Sequence, residues 1–245
     1  MLNKILNTLR QNLGRINGGY ILAYHHIAPD LFIEQINVLH PDIIVPLDEL
    51  INRKVNNQST KGLFAITVDD GYNNTIPRLC DICIEKGWPI TFYPLIDFLD
   101  GKIMIWLLLQ NLKKILKGHT ISIAGKQKDF KKRKILEATF DQLQLKIYTL
   151  QKKEYMHIID SIIESIIDNN IAQMDELYNQ PKSITWDFVE EKSKNELISF
   201  QSHGVTHMPV IALSNEKIEK ECVKSKKRIS DVTGKKSKPF LFSIW

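Results

Sequence analysis

The chain has 245 residues, 43% of them hydrophobic and 25% charged, enough to bury one large core or two small ones and too apolar to be mainly disordered. Its 11 glycines and 9 prolines follow no short period, which excludes collagen-like and fibrous readings. Lys and Arg total 33 against 28 Asp and Glu, a net charge of +5, and much of the excess lies in 126–134 and 224–238, beside aliphatics at helical spacing that mark solvated helix faces rather than a nucleic-acid surface.

Residues 1–19 are read as an N-terminal amphipathic helix, with Leu2, Ile5, Leu6, Leu9 and Leu13 on one stripe. It is expected to dock on the domain, and peripheral membrane contact through residues 1–15 is the second option. Tyr20–Tyr24 reads as a short buried strand leading into His25, His26 and a turn at Pro29. A helix over Asp30–His40, a strand at Ile43–Val45 and a helix over Leu47–Val55 follow. Leu63–Val68 is a buried strand that runs into Asp69-Asp70-Gly71-Tyr72. From Asn74 to Lys86 a helix carries Ile76, Leu79, Cys80, Cys83 and Ile84 on one face, Gly87 stops it, and Pro89–Pro94 is the next strand. This alternation with short connections implies a parallel sheet with crossover helices, which places function at the carboxyl ends of the strands.

Helical periodicity takes over from 102 to 181 (Ile103–Leu116, Phe130–Lys146, Lys152–Ile167), with one hairpin strand at Thr120–Ala124, and this stretch is read as an inserted helical subdomain. The alternation resumes with a helix at Thr185–Lys194 and a strand at Leu197–Gln201. Ser214 then caps a long helix with Ile218, Cys222, Ile229 and Val232 inward and Gly234 past its end. Phe240–Phe242 is a last short strand. The domains expected are therefore 1–19, 20–101 and 182–245 as two parts of one α/β domain, and 102–181 as the insertion. The longest apolar run, Ile103–Leu109, falls far short of the roughly 20 residues of a membrane span. Three cysteines and no signal-like N-terminus point to a reducing cytoplasm, at the inner membrane surface if 1–15 touch it. Cys80 and Cys83 fall on the apolar helix face and read as core rather than redox residues.

Two motifs carry chemistry. Adjacent carboxylates Asp69 and Asp70 at the end of a buried strand repel each other and cost desolvation unless a cation or donors stand nearby, although Asp-Asp-Gly also suits an ordinary turn. His203-Gly204-Val205-Thr206-His207 spaces two imidazoles four apart, as in zinc motifs, but Gly204 and Pro209 make it a loop and Gly204 excludes the His-Glu-x-x-His protease pattern. Taken alone, the pair also fits two surface histidines. Both motifs follow parallel strands and so share one carboxyl rim, where one Asp and two His could form an open metal site with the second Asp free as a base.

Ile66-Thr67-Val68-Asp69-Asp70-Gly71-Tyr72 resembles the T-F-D-D-G-Y signature of the polysaccharide deacetylases (carbohydrate esterase family 4, the NodB homology domain), and Ser202–His207 resembles their S-H-[ST]-x-x-H signature. Tyr24-His25-His26-Ile27-Ala28-Pro29 is similar to the Y-H-x-V-x-P stretch of a subgroup found with bacterial surface-glycan genes. Pro89–Tyr93 and the Ser-Lys-Lys-Arg-Ile helix before Thr233-Gly234-Lys235 fit that subgroup as well. The resemblance implies an α/β, parallel (β/α) barrel-like glycoside hydrolase/deacetylase fold. It implies Asp69 as catalytic base, Asp70, His203 and His207 as ligands of a divalent metal, usually Zn2+, and an acetylated glycan as substrate. The reaction implied is hydrolysis of N- or O-acetyl groups on a bacterial surface polysaccharide or its precursor. His25 falls on the same rim and takes no role. In the family an aromatic-x-aromatic-Pro-x-Gly run and a later Leu-x-His follow the last helix; here Phe240-Leu241-Phe242 is followed by Ser243-Ile244-Trp245. The fold is therefore expected to be incomplete at its C-terminus, and the alternative function is an inactive remnant that keeps a metal or glycan site.

Overall fold

The computed structural model describes residues 18–237 apart from 39–42, 124 and 151. The expected N-terminal helix and its membrane contact, and the expected last strand at Phe240–Phe242, lie outside the described residues. The described residues fall into two compact units: one runs to Gly101 and continues through Pro181–His207 and the segment from Lys217, and the other comprises Lys102–Gln180 and Met208–Glu216.

The first unit is a parallel α/β layer structure. Its strands are β1 (Tyr20–Tyr24), β2 (Phe64–Asp70), β3 (Ile90–Pro94) and β6 (Ile198–Phe200), in the order β1-β2-β3-β6. Every neighbouring pair is parallel, with Tyr24 beside Val68, Asp69 beside Tyr93 and Phe92 beside Phe200. Helices α1 (Pro29–Val38), α2 (Leu47–Val55) and α3 (Ile76–Lys86) connect the first strands, and the one-turn helix α4 (Ile96–Leu99) follows β3. All seven residues of β2 and all five of β3 are buried, as central strands covered on both faces must be, which is why neither alternates apolar with exposed polar residues. Phe32 and Ile36 of α1 and Ile76, Leu79, Cys80 and Cys83 of α3 close the core against them. Gly87 ends α3 in the left-handed conformation at φ 70° and caps it through its own N–H.

Three expectations are corrected here. β1 is not buried but alternates half-buried and exposed, with Ile21 53% exposed, because it stands at one end of the described sheet. Ile43–Val45 forms a single bridge from Ile44 to Phe64, plus the Val45 N–H donating to the Phe64 carbonyl at 2.7 Å. Pro46, which has no N–H to give, and the start of α2 at Leu47 stop the pairing there. Among the inward positions expected on the last long helix, only Ile229 is buried; Ile218, Cys222 and Val232 are half-buried, and the other buried residue is Ser225.

The second unit holds α5 (Ile105–Leu116), the hairpin of β4 (Thr120–Ile123) and β5 (Lys126–Asp129), α6 (Arg133–Thr149), α7 (Lys152–Asp168) and α8 (Met174–Leu177). Its own core joins Leu112 and Leu116 of α5, Ile121 of β4, Phe140 of α6, and Ile159 and Ile166 of α7. After it come α9 (Trp186–Lys192), capped by Thr185 accepting the Phe188 N–H at 3.2 Å, then β6, a 3-10 turn at Val210–Ala212, and α10 (Asn215–Thr233). Among the described residues no helix is long and apolar enough to cross a membrane.

Candidate active site

Strand β2 delivers both aspartates to the carboxyl end of the sheet. It runs through Asp70, and the chain then turns: Asp70 has φ 70° and Gly71 φ 108°. The Gly71 N–H donates to the Asp69 carbonyl at 2.9 Å, and the Asp70 carbonyl accepts the Leu95 N–H at 3.1 Å. A Cβ on Gly71 would lie 2.9 Å from Leu99 Cδ1 and 3.4 Å from Pro94 Cβ, so the turn needs glycine for its φ and for space.

The loop after β6 brings the imidazoles. Gln201 N–H donates to the Phe92 carbonyl at 2.8 Å, and the chain then crosses the end of β3: Ile96 N–H donates to Gly204 O at 3.3 Å and Asp97 N–H to Val205 O at 3.0 Å. Gly204 has φ 103° and His207 φ 60°. Asp70 and His207 are thus two non-glycine residues in the left-handed region, each costing about 1–3 kcal/mol. Such strain persists only where surrounding contacts impose it.

Asp70, His203 and His207 are brought together, all three buried, with one ligand atom of each within 4.8 Å of the others. Asp70 Oδ1 lies 3.5 Å from His203 Nε2 and 3.4 Å from His207 Nε2, and the two rings meet nearly edge to face at 84°. Those separations suit a shared cation: tetrahedral ligands bonded at roughly 2.1 Å stand about 3.4 Å apart. Asp70 Oδ1 is buried without a hydrogen bond, a cost that a metal would remove. A hard carboxylate with two imidazoles is the donor set of an open zinc or similar divalent site. The residues present therefore fit the group.

The electrostatics divide the two aspartates. Burial pushes the Asp70 carboxyl up, but the His203 and His207 imidazoles beside it overcome that and hold it well below the usual carboxylate range. Burial pushes the Asp69 carboxyl up, Asp70 adds to this, and the imidazoles of His203 and His25 only partly oppose it. Burial likewise lowers His207, offset in part by Asp70, which favours the neutral imidazole with a lone pair to give. The two neighbouring carboxyls thus differ in proton affinity, Asp70 holding its negative charge and Asp69 binding a proton more readily.

The strand register explains a partner to which the sequence assigned no role. Tyr24 lies beside Val68, so His25 comes opposite Asp69, and its Nε2 is 3.8 Å from Asp69 Oδ2. His25 is 45% exposed and Asp69 7% by side chain, so the pair links the buried site to solvent. The next residue, His26, packs on Tyr72 with ring centroids 3.9 Å apart, and its Nδ1 meets Thr75 Oγ1 at 3.2 Å. Cys80 and Cys83 lie in the core, where burial pushes the Cys83 thiol up to about 12 and Cys80 higher still. Both are inert neutral thiols.

The parallel α/β fold thus sets an Asp-His-His cluster that could hold a metal ion, with a second aspartate beside it, on the carboxyl rim of the sheet. The polysaccharide deacetylase family model matches residues 128–243, a span that contains His203 and His207. Among solved structures the chain is similar to IcaB from Ammonifex degensii, with a TM-score of 0.52 at 12% identity over 93% of this chain and 75% of that one. It is also similar to the Streptococcus pyogenes deacetylase PplD in complex with acetate, with a TM-score of 0.51 at 11% identity over 91% of this chain and 71% of that one. These likenesses show the fold. No curated protein sequence matches the chain. The family model covers just under half of the chain, and the structural likenesses show an α/β barrel-like fold similar to that of these deacetylases.

Proposed function

We propose that the protein is a metal-dependent deacetylase that hydrolyses N- or O-acetyl groups on a bacterial surface polysaccharide or its precursor. The observation that carries this reading is the buried Asp70–His203–His207 cluster with Asp69 alongside. Asp70, His203 and His207 hold the divalent cation, with Zn2+ the metal best matched to one carboxylate and two imidazoles. When bound, the cation polarises the acetyl carbonyl and acidifies water at its open positions.

The chain's own residues do the rest. Asp69 presents Oδ1, buried and without a hydrogen-bond donor, and its raised pKa suits a base that takes the proton of the attacking water. A new carbonyl–oxygen bond forms as the bond from the acetyl carbon to the sugar nitrogen or oxygen breaks. The leaving atom needs the proton back. His25, facing Asp69 from the solvent side, stands where it can relay that proton.

The test is metal content and acetate release. Purified protein is expected to hold one zinc per chain, to lose it in Asp70→Ala, and to release acetate from acetylated chito-oligosaccharides. No stoichiometric metal, or as much metal after Asp70→Ala, would refute the metal site. Metal without acetate release from any acetylated glycan would favour a non-catalytic site.

A further inference from the structure

The loop that carries His203 and His207 is gripped by one side chain from outside the site. Glu221, on α10, accepts the Val205 N–H at Oε2 (2.5 Å), the Thr206 N–H at the same oxygen (3.0 Å) and the Thr206 hydroxyl at Oε1 (2.6 Å). These are two consecutive peptide N–H groups between the two histidines. One turn further along α10, on the same helix face, Ser225 makes a second latch: Ser202 Oγ donates to Ser225 Oγ at 2.5 Å, and Ser225 Oγ donates to the Glu221 carbonyl. Ser202 and Ser225 are fully buried.

The opposite side of the loop is held as well, by the Ile96 and Asp97 N–H groups on the Gly204 and Val205 carbonyls. The peptide planes between His203 and His207 are therefore fixed by donors on one side and one carboxylate on the other. Fixing those planes fixes where both imidazoles start and which way they face, including the left-handed His207.

We propose that Glu221 is the positioning residue of the histidine loop and sets the affinity of the Asp70–His203–His207 site for a divalent cation without itself touching it. The inference rests on the metal-site reading above. Charge-assisted hydrogen bonds from a carboxylate to N–H groups are strong, and partners that orient metal ligands from outside typically govern 10–100-fold in affinity.

The experiment is titration of metal-free full-length protein with Co2+, followed by its visible absorption bands, in wild type, Glu221→Ala, Glu221→Gln and Glu219→Ala. Glu219 is exposed on the same helix and matches the charge change. Glu221→Ala is expected to weaken Co2+ about 10–100-fold and alter the band shape, a signature that a merely structural role would leave unchanged. Glu221→Gln, which keeps one good acceptor, loses less, at least several-fold, and carries the test if the alanine variant does not fold. Glu219→Ala binds as wild type does. Wild-type affinity and bands in both Glu221 variants would overturn the inference, as would an equal loss in Glu219→Ala, which would make the effect one of net charge. If wild type itself takes up no Co2+, the metal site fails and the positioning role with it, an outcome distinct from variants that match a metal-binding wild type.

Discussion

The turn after Asp70 offers the sharpest test of how the fold presents its aspartates. Gly71 and Gly87 both have positive φ, 108° and 70°, but they differ in surroundings. A Cβ on Gly87 meets nothing within 4 Å, whereas one on Gly71 lies 2.9 Å from Leu99 Cδ1 and 3.4 Å from Pro94 Cβ. Gly87→Ala should therefore cost only the left-handed conformation, about 1–2 kcal/mol. Gly71→Ala incurs that cost at a less favourable φ and adds overpacking of about 1–3 kcal/mol against Leu99, itself in the core cluster. The total is about 2–5 kcal/mol. With a urea m-value of about 2–3 kcal/mol/M, the midpoint should fall by about 1 M or more for Gly71→Ala and by about 0.5 M for Gly87→Ala. Urea unfolding followed by circular dichroism reads both, with m unchanged. A Gly71→Ala midpoint equal to that of Gly87→Ala would refute the claim that close packing beneath the aspartate turn demands glycine.

Asp69→Asn should retain Co2+ affinity within a few-fold while acetate release falls about 10²–10⁴-fold, since the amide cannot accept the proton of the attacking water; a parallel loss of metal would instead make Asp69 a ligand. In native protein at pH 8, a disulfide-exchange reagent should titrate neither Cys80 nor Cys83, whose thiols are buried and held protonated by burial, and both should react on unfolding. Fast native reaction of either one contradicts the core placement. Leu112→Ala removes a fully buried side chain from the core of the second unit and should cost about 2–5 kcal/mol in urea unfolding. Thr185→Ala removes the acceptor of the Phe188 N–H and should cost about 1 kcal/mol, with Thr185→Ser restoring most of it.

Periodicity and punctuation in the chain were enough to define most elements. The apolar run before Asp69, the 3.6-residue stripe from Ile76 to Ile84 and the glycine at 87 appear in the structure as β2, α3 and its left-handed cap, because buried strands and amphipathic helices write their period directly into composition. The two motifs were legible for the same reason: carboxylates after an apolar strand and imidazoles four apart are local patterns. What lies outside local pattern was not legible. The order β1-β2-β3-β6 and its register put His25 opposite Asp69, across 44 residues of sequence, and let the loop after β6 cross β3 to reach Asp70. Glu221 and Ser225 belong to no local motif, and only the packing of their helix against the histidine loop gives them partners there. The opposite shifts of Asp69 and Asp70 likewise belong to tertiary structure. Identical side chains adjacent in sequence acquire different proton affinities only when the fold buries both and gives one of them two imidazoles.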